Sequence, residues 1–264
     1  QRQMCIRDRP LNNGFDISIG AGFNDRTHFR EFIKPEGKFR FPQGGLDAPL
    51  VSYPGFDGRL NPVLGGFDNN WKVKTIHPIA DLKANAAYNQ SWRIGESQMW
   101  LVAALNFSNS YRTLLNMENS LYGPYDVANG KSVPLRKATD NQYTRETRYG
   151  AMLNISFRPA GSIHLFEWKN IFNQIIKNRY SDRIGFNAQA DNINDMEYYH
   201  SSRPTYNTQF TGSHTFDADR VDWSVGYAFA QRNLPDRRLI ERTDRTEQTM
   251  GIYRIGREFT KLNE

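Results

Sequence analysis

The side chains that could hold a metal ion are few and widely separated along the 264-residue chain. The segment DNIND, residues 191–195, has carboxylate and amide oxygens that Ca²⁺ could bind, but it lacks the glycine and the distal glutamate of an EF-hand loop. The single cysteine, Cys5, excludes an internal disulfide and a cysteine-based metal site. No paired metal-ligand spacing is found among the five histidines, His28, His77, His164, His200 and His214. The sequence therefore predicts no metal site.

Serines and carboxylates are frequent, but no spacing places a nucleophile beside a base. The segments GFDG at 55–58 and GGFD at 65–68 are interpreted as turns, because a phosphate-binding loop needs a strand before it and a helix after it. The protein is predicted not to be an enzyme and to use no cofactor.

Aromatic side chains in two predicted loops, 25–80 and 112–146, could bind a ligand. Rings on exposed loops stack well on sugars and chelates, and they serve equally well to pack a loop upon itself. Both interpretations stay open, so the ligand-binding residues remain unassigned. The rings concerned are Tyr53, Phe56, Trp71, Tyr111, Tyr122 and Tyr125.

Alternation of apolar and polar residues predicts the elements that would position these side chains. The stretch AMLNISFRPAGSIHLFEWKNIF, residues 151–172, has two alternating runs around Pro-Ala-Gly-Ser, which is typical of a hairpin with one apolar face. Similar alternation occurs in seven segments, near 15–24, 82–93, 99–108, 149–158, 166–172, 196–216 and 221–232. No sustained 3.6-residue periodicity is present. The predicted class is all-β, with an antiparallel up-and-down sheet of about seven strands.

The predicted connections decide between a soluble sandwich and a membrane barrel, because both have one apolar strand face. Long and short connections alternate strictly: 25–80, 112–146 and 174–194 are long, whereas 94–97, 159–162 and 217–220 are short. Outer-membrane barrels have short turns on one side and long loops on the other, while long structureless loops are uncommon in soluble domains. In addition, the formal charges fall on the less apolar face of every run. The apolar face is therefore predicted to contact outer-membrane lipid.

Several residues receive particular places in this arrangement. Trp92, Trp168 and Trp223 are candidates for aromatic girdles at the lipid boundary, whereas Trp100 is predicted to point inward. His164 and His214 lie near strand ends, where packing at the interface is expected. Since proline cannot donate a ladder hydrogen bond, a bulge is predicted at Ser202–Pro204, with Met196–Arg203 as an extension above the membrane.

Composition excludes other classes. A membrane-spanning helix needs about 20 apolar residues, and the longest apolar run is MWLVAAL at 99–105. No signal-peptide core is present. The net charge of +6 comes from scattered basic residues without a nucleic-acid-binding motif, so no nucleic-acid partner is predicted. Residues 1–9, which include QMCIRDR, resemble a translated sequencing adapter and are expected to be an artefact or a disordered tail.

An ordered set of stretches across residues 10–264 resembles the barrel of TonB-dependent outer-membrane receptors, in the branch that bears a carboxypeptidase-regulatory-like domain. The stretches are SIGAGFNDRTHFREF, GGFDNNWKVKTIHPIADLKANAAYNQSWRIGE, LVAALNFSNSYRT, FEWKNIFNQ, YNTQFTGSHTF, and LPDRR followed by REFTKLNE. The resemblance implies a transmembrane barrel of roughly 22 strands, of which this chain would be a part. It also implies import of a scarce metal chelate, glycan or peptide captured at outer loops, with energy from the TonB complex acting on a plug domain.

The sequence departs from that family in ways that bear on function. No plug domain precedes Pro10, and KLNE is not a closing strand with a terminal aromatic residue. A fragment of a Gram-negative outer-membrane importer is therefore the expectation. Two alternatives stay open: a passive porin-type or adhesin barrel, and a soluble secreted β-protein that binds glycans.

Overall fold

The computed structural model of this protein describes residues 13–36, 51–54, 60–63, 72–161, 163–188, 192–216, 219–243 and 250–254. Within these ranges the chain is all-β and antiparallel, without a helix, as predicted. Residues 1–9 lie outside them. The strands are β1 Gly14–Gly22, β2 Phe32–Pro35, β3 Val51–Pro54, β4 Leu60–Val63, β5 Val73–Ile76, β6 Asp81–Ile94, β7 Ser97–Asp126, β8 Lys131–Arg158, β9 His164–Asn187, β10 Asn192–Phe216, β11 Asp219–Ala230, β12 Asn233–Thr243 and β13 Met250–Arg254.

The main sheet is a meander in the order β1-β6-β7-β8-β9-β10-β12-β13, with β11 also paired to β10. Two small hairpins, β2–β5 and β3–β4, form separate sheets. Short turns lie at one end of the main sheet, at 95–96 and around residue 160, whereas the 127–130 turn and the long connection between β1 and β6 lie at the other end. Within the described residues the sheet is not closed, since β1 and β13 each pair on one side.

The prediction of long loops at 112–146 and 174–194 is wrong. Strands β7 and β8 continue as one hairpin to the turn at 127–130, β9 continues to Asn187, and β10 begins at Asn192. Beyond the last of the seven predicted segments, the chain forms a further strand, β12. The alternation of apolar and polar residues ends before these extensions begin, and polar cross-strand pairs take its place. The extensions were therefore not predicted as strands from the sequence. The main sheet accordingly has nine strands rather than about seven.

Near Pro204, one edge of β10 changes its pairing partner. Along one edge, β10 pairs with β9 throughout; along the other it pairs first with β12 and then with β11. At the break, Gln231 N–H donates to the Pro204 carbonyl over 3.1 Å, but Pro204 has no N–H to return. Strands β11 and β12 thus form one line interrupted at 231–232. The bulge predicted at Ser202–Pro204 is not found there: the register with β12 shifts between His200 and Ser202, whereas the pairing with β9 continues unbroken through Pro204.

The buried core lies among the extensions, where the β2–β5 hairpin covers β8, β9 and β10. Phe32 of β2 makes edge-to-face contacts with Tyr111 and Tyr143, with ring centroids 5.3 and 5.6 Å apart. Buried with Phe32 and Tyr143 are Tyr180, Tyr198 and Ile240. Packing against these rings holds the small hairpin on one face of the sheet and leaves the rest of that face uncovered by described residues.

Candidate functional site

One face of the main sheet carries an apolar surface that the described chain does not cover. The register aligns its side chains in rows across the strands; Trp168, Phe210 and Val225, for example, are direct neighbours. Exposed fractions run from 36% at Phe172 to 82% at Ile19. We call this surface the apolar band: Phe15, Ile17, Ile19, Tyr88, Leu105, Leu153, Phe157, Trp168, Phe172, Phe210, Val221, Trp223, Val225, Tyr227 and Phe229. Soluble monomers rarely expose so continuous an apolar patch.

The height of the apolar band can be measured along β11. Its band residues occupy every second position from Val221 to Phe229. Eight steps at roughly 3.4 Å each give about 27 Å along the strand. With the strand tilt of outer-membrane barrels, about 35–45°, this corresponds to a height of about 20 Å, and the segment 221–229 has the length of roughly 9–11 residues with which a tilted strand crosses a bilayer.

The opposite face of the same strands is polar. Asn85 donates to the Ser18 hydroxyl oxygen over 3.1 Å, and Gln209 donates to that of Ser224 over 2.7 Å. Trp100 lies on this face, opposite the apolar band, with the Arg158 guanidinium 5.7 Å from its ring centroid. An apolar face and a polar face therefore lie back to back across one sheet.

Aromatic side chains gather at the lower rim of the apolar band, next to the short turns. The Trp223 indole N–H donates to His214 Nε2 over 2.8 Å. The Nδ1 atoms of His164 and His214 lie 3.0 Å apart. Because Nε2 of His214 accepts, its Nδ1 carries the proton and donates to His164. Phe166 and Phe216 pack against these rings. Ring packing and hydrogen bonds therefore occupy both histidines.

The candidate metal segment does not form a site. Asn192, Ile193, Asn194 and Asp195 belong to strand β10 rather than to a loop, so their side chains point alternately to opposite faces. Asp191 lies outside the described residues. No group of three potential metal ligands occurs among the residues that the structure describes.

The remaining histidines have structural surroundings. His28 is buried, and its Nε2 lies 3.1 Å from the Asp81 carboxylate. The Asp81 carboxylate also accepts a hydrogen bond from the Tyr111 backbone N–H over 2.7 Å. This gives a partner to a β7 backbone group that lies beside the first residue of β6. His200 Nδ1 contacts the Asn178 side-chain oxygen, and His77 is exposed. The segments GFDG at 55–58 and GGFD at 65–68 lie outside the described residues.

The candidate ligand-binding aromatics do not form one cluster. Tyr111, Tyr122 and Tyr125 lie in strand β7, not in a loop as predicted. Tyr111 packs on Phe32, whereas Tyr122 and Tyr125 are 54% and 62% exposed beside the hairpin tip. Tyr53 belongs to β3, and Phe56 and Trp71 lie outside the described residues. Of the candidate ligand-binding aromatics, Tyr122 and Tyr125 are thus the ones exposed near the tip of the β7–β8 hairpin.

Sequence reasoning missed a ladder of ion pairs on the polar face of the extensions. Arg183 donates two hydrogen bonds to Asp140, over 2.7 and 2.8 Å. Glu197 accepts from Arg179 over 2.6 Å and from Arg237 over 2.8 Å. The hydrogen bonds from Arg183 are the main reason that the pKa of Asp140 lies below its usual value, with burial acting against them. These pairs link β8, β9, β10 and β12 on the polar face.

No helix in the described part of the chain is long and apolar enough to span a membrane. Comparison with known protein families, curated proteins and solved structures finds no match to this chain.

Proposed function

We propose that this chain forms part of the wall of a Gram-negative outer-membrane transport barrel. The observation that carries this proposal is the apolar band: a wide, uncovered apolar face backed by a polar face on the same strands. Lipid is the occupant that fits such a face without leaving apolar side chains in water. Within hydrocarbon every backbone group must be paired, so the open sheet would be completed into a closed barrel by further strands.

The arrangement of the hairpins supports a defined orientation. Short turns end the strands below the band, while the β7–β8 and β9–β10 extensions rise above it on the other side. In outer-membrane barrels the long connections face the exterior. The extensions would then meet a solute outside the cell, with Tyr122 and Tyr125 near one tip and the ion-pair ladder along the polar face.

Resemblance to TonB-dependent receptors supports active import rather than passive diffusion. The transported solute would be a scarce metal chelate, glycan or peptide, and the energy would come from the TonB complex through a plug domain. No catalytic role is part of this proposal. The polar face would line the transport path beside the plug.

Site-directed labelling tests the lipid contact. In a Cys5→Ser background, Val225→Cys and Ser224→Cys place an environment-sensitive fluorophore on adjacent residues of opposite faces. The complete gene product would be labelled in outer-membrane vesicles containing nitroxide lipids. We expect the probe at position 225 to be blue-shifted and quenched, and the probe at 224 to be neither. Equal quenching at both positions would contradict the proposal.

Energy dependence tests the import step. Cells that express the complete gene product should accumulate the transported solute only while the inner membrane is energised and the TonB protein is present. Uptake that continues after either is removed would favour the passive porin-type barrel.

A further inference from the structure

Two lysines oppose each other on the β2–β5 hairpin. Lys34 and Lys74 are direct cross-strand partners, and like charges in that arrangement destabilise a hairpin. They lie two positions along from Phe32 and Ile76, so their side chains leave the hairpin on the side that packs against the main sheet. Neither lysine has an ion pair with a residue that the structure describes.

Arg145 of β8 adds a third positive charge at the same place. Its guanidinium lies 5.6 Å from the ring centroid of Tyr111, and its Nε donates to the Asn109 side-chain oxygen over 2.8 Å. The pKa of Lys34 lies below its usual value, chiefly because of burial and then because of Lys74 and Arg145. Three cations therefore converge where the hairpin meets the sheet.

This cationic cluster, Lys34, Lys74 and Arg145, lies on the face of the sheet that carries the apolar band. Arg145 and Leu153 occupy odd positions of the same uninterrupted strand, so their side chains share a face. Farther down that face is a shallow apolar depression of about 470 Å³. Its floor includes Ala86, Ala103 and Ala151, and its walls include Phe15, Leu105 and Phe172. Ala151 lies six steps along the strand from Arg145, which is about 20 Å.

We propose that this surface holds a lipid whose phosphate-bearing headgroup has a net negative charge, with the phosphate at the cationic cluster and an acyl chain in the alanine-floored depression. An anion would relieve the repulsion between Lys34 and Lys74, and a hydrocarbon chain would cover apolar surface beneath it. Free phosphate would satisfy the charges alone; the alignment of cluster and depression on one face favours an amphiphile. The inference rests on the proposed membrane location.

Lipid retention tests the proposal. The complete gene product would be purified from outer membranes in mild detergent, and bound phosphate-bearing lipid would be counted by native mass spectrometry. Because each basic residue near a membrane surface contributes appreciably to anionic-lipid binding, we expect the Lys34→Gln/Lys74→Gln variant to lose roughly tenfold or more of its affinity. The matched control is Lys83→Gln/Lys177→Gln, which removes two cations from the opposite face and should retain the lipid.

Two further arms separate the possible outcomes. Reconstitution into phosphatidylglycerol and into phosphatidylcholine nanodiscs should show preferential retention of phosphatidylglycerol by the parent protein alone, and millimolar inorganic phosphate should not displace it. Displacement by inorganic phosphate, or equal retention by both double variants, would overturn the proposal. Flotation with neutral phosphatidylcholine vesicles reports membrane association separately, so a failure of the proposed function would be distinguished from a failure of the lipid site.

Discussion

At the scale of single residues, neighbouring side chains experience opposite surroundings. Phe172 lies in the apolar band beside Ala151 and Tyr206, and Ile171 lies on the polar face beside Met152 and Asn207. Both are apolar and similarly exposed, at 36% and 45%. Residue type alone does not separate them; the strand register does, since successive side chains point to opposite faces.

Arginine substitutions at these two positions should therefore differ in their effect. With the apolar band in lipid as proposed, Phe172→Arg would place a charge against hydrocarbon and should lower the free energy of unfolding in lipid by about 2–4 kcal/mol. Ile171→Arg faces the polar side and should cost much less. Urea unfolding in phosphatidylcholine vesicles gives the comparison. Equal losses at both positions would contradict lipid contact at the apolar band.

The Asp140–Arg183 pair provides a pH-dependent contribution. Since the folded-state pKa of Asp140 is lowered, its stabilisation is full above the unfolded aspartate value, about 3.9, and is lost as the pH falls through the folded-state pKa. The pair is partly exposed, so Asp140→Asn should cost only about 1 kcal/mol near neutral pH.

Hydrogen exchange of the β7–β8 hairpin amides between pH 2.5 and pH 7, corrected for intrinsic exchange, measures this effect. The variant should lose the acid-dependent part of its protection. Glu118→Gln is the control, because Glu118 is exposed on the same hairpin and has no ion pair with a described residue. A similar change in the control would assign the effect to general charge instead.

At the scale of elements, the sequence predicted the strands of the apolar band but not their extensions. Runs such as Tyr149–Phe157 have one apolar face, and their alternation identified them. Beyond Tyr149 the strand alternates between residues such as Thr147 and Glu146, which have no apolar contrast. Strand pairing there depends on partners distant in sequence, Asp140 with Arg183 and Phe32 with Tyr143, which no local pattern contains. The sequence therefore predicted which side chains share the apolar face, but it did not predict the ion pairs on the polar face.

The turn between β6 and β7 depends on one glycine. Gly95 has φ +63° and is the first of two turn residues, which is the geometry of a type II′ hairpin. Gly95→Ala should lower the free energy of unfolding by about 1–2 kcal/mol, because L-residues are disfavoured at positive φ. Gly20→Ala is the control, since a Cβ there meets no atom within 4 Å and no positive φ is involved. Denaturant midpoints in detergent compare the two; equal shifts would contradict the assigned turn.

At the scale of the whole molecule, the main sheet has two open edges. Strand β1 pairs only with β6, and β13 only with β12, among the residues that the structure describes. Unpaired strand edges are templates for pairing with other chains. The 264-residue chain alone should therefore form oligomers in detergent, and additional strands would be needed to close it.

A lysine on the β1 edge should reduce that association. Ser18→Lys adds a charge to an edge strand, whereas Asn207→Lys adds one to the same polar face on interior strand β10. Sedimentation velocity should show fewer oligomers for Ser18→Lys and an unchanged distribution for Asn207→Lys. If both substitutions dissociate the oligomers equally, net charge rather than the β1 edge controls association.

The meander has a consequence for how such a sheet can change over generations. Each long strand pairs with the strands next to it in the chain, and each hairpin returns the chain to the same end of the sheet. Duplication or loss of one hairpin therefore leaves the faces of its neighbours unaltered and the apolar band continuous. An insertion at the 127–130 turn likewise leaves the register of the β7–β8 pair in the apolar band unchanged. The number of strands and the length of the extensions can thus diverge independently, through local changes in the gene.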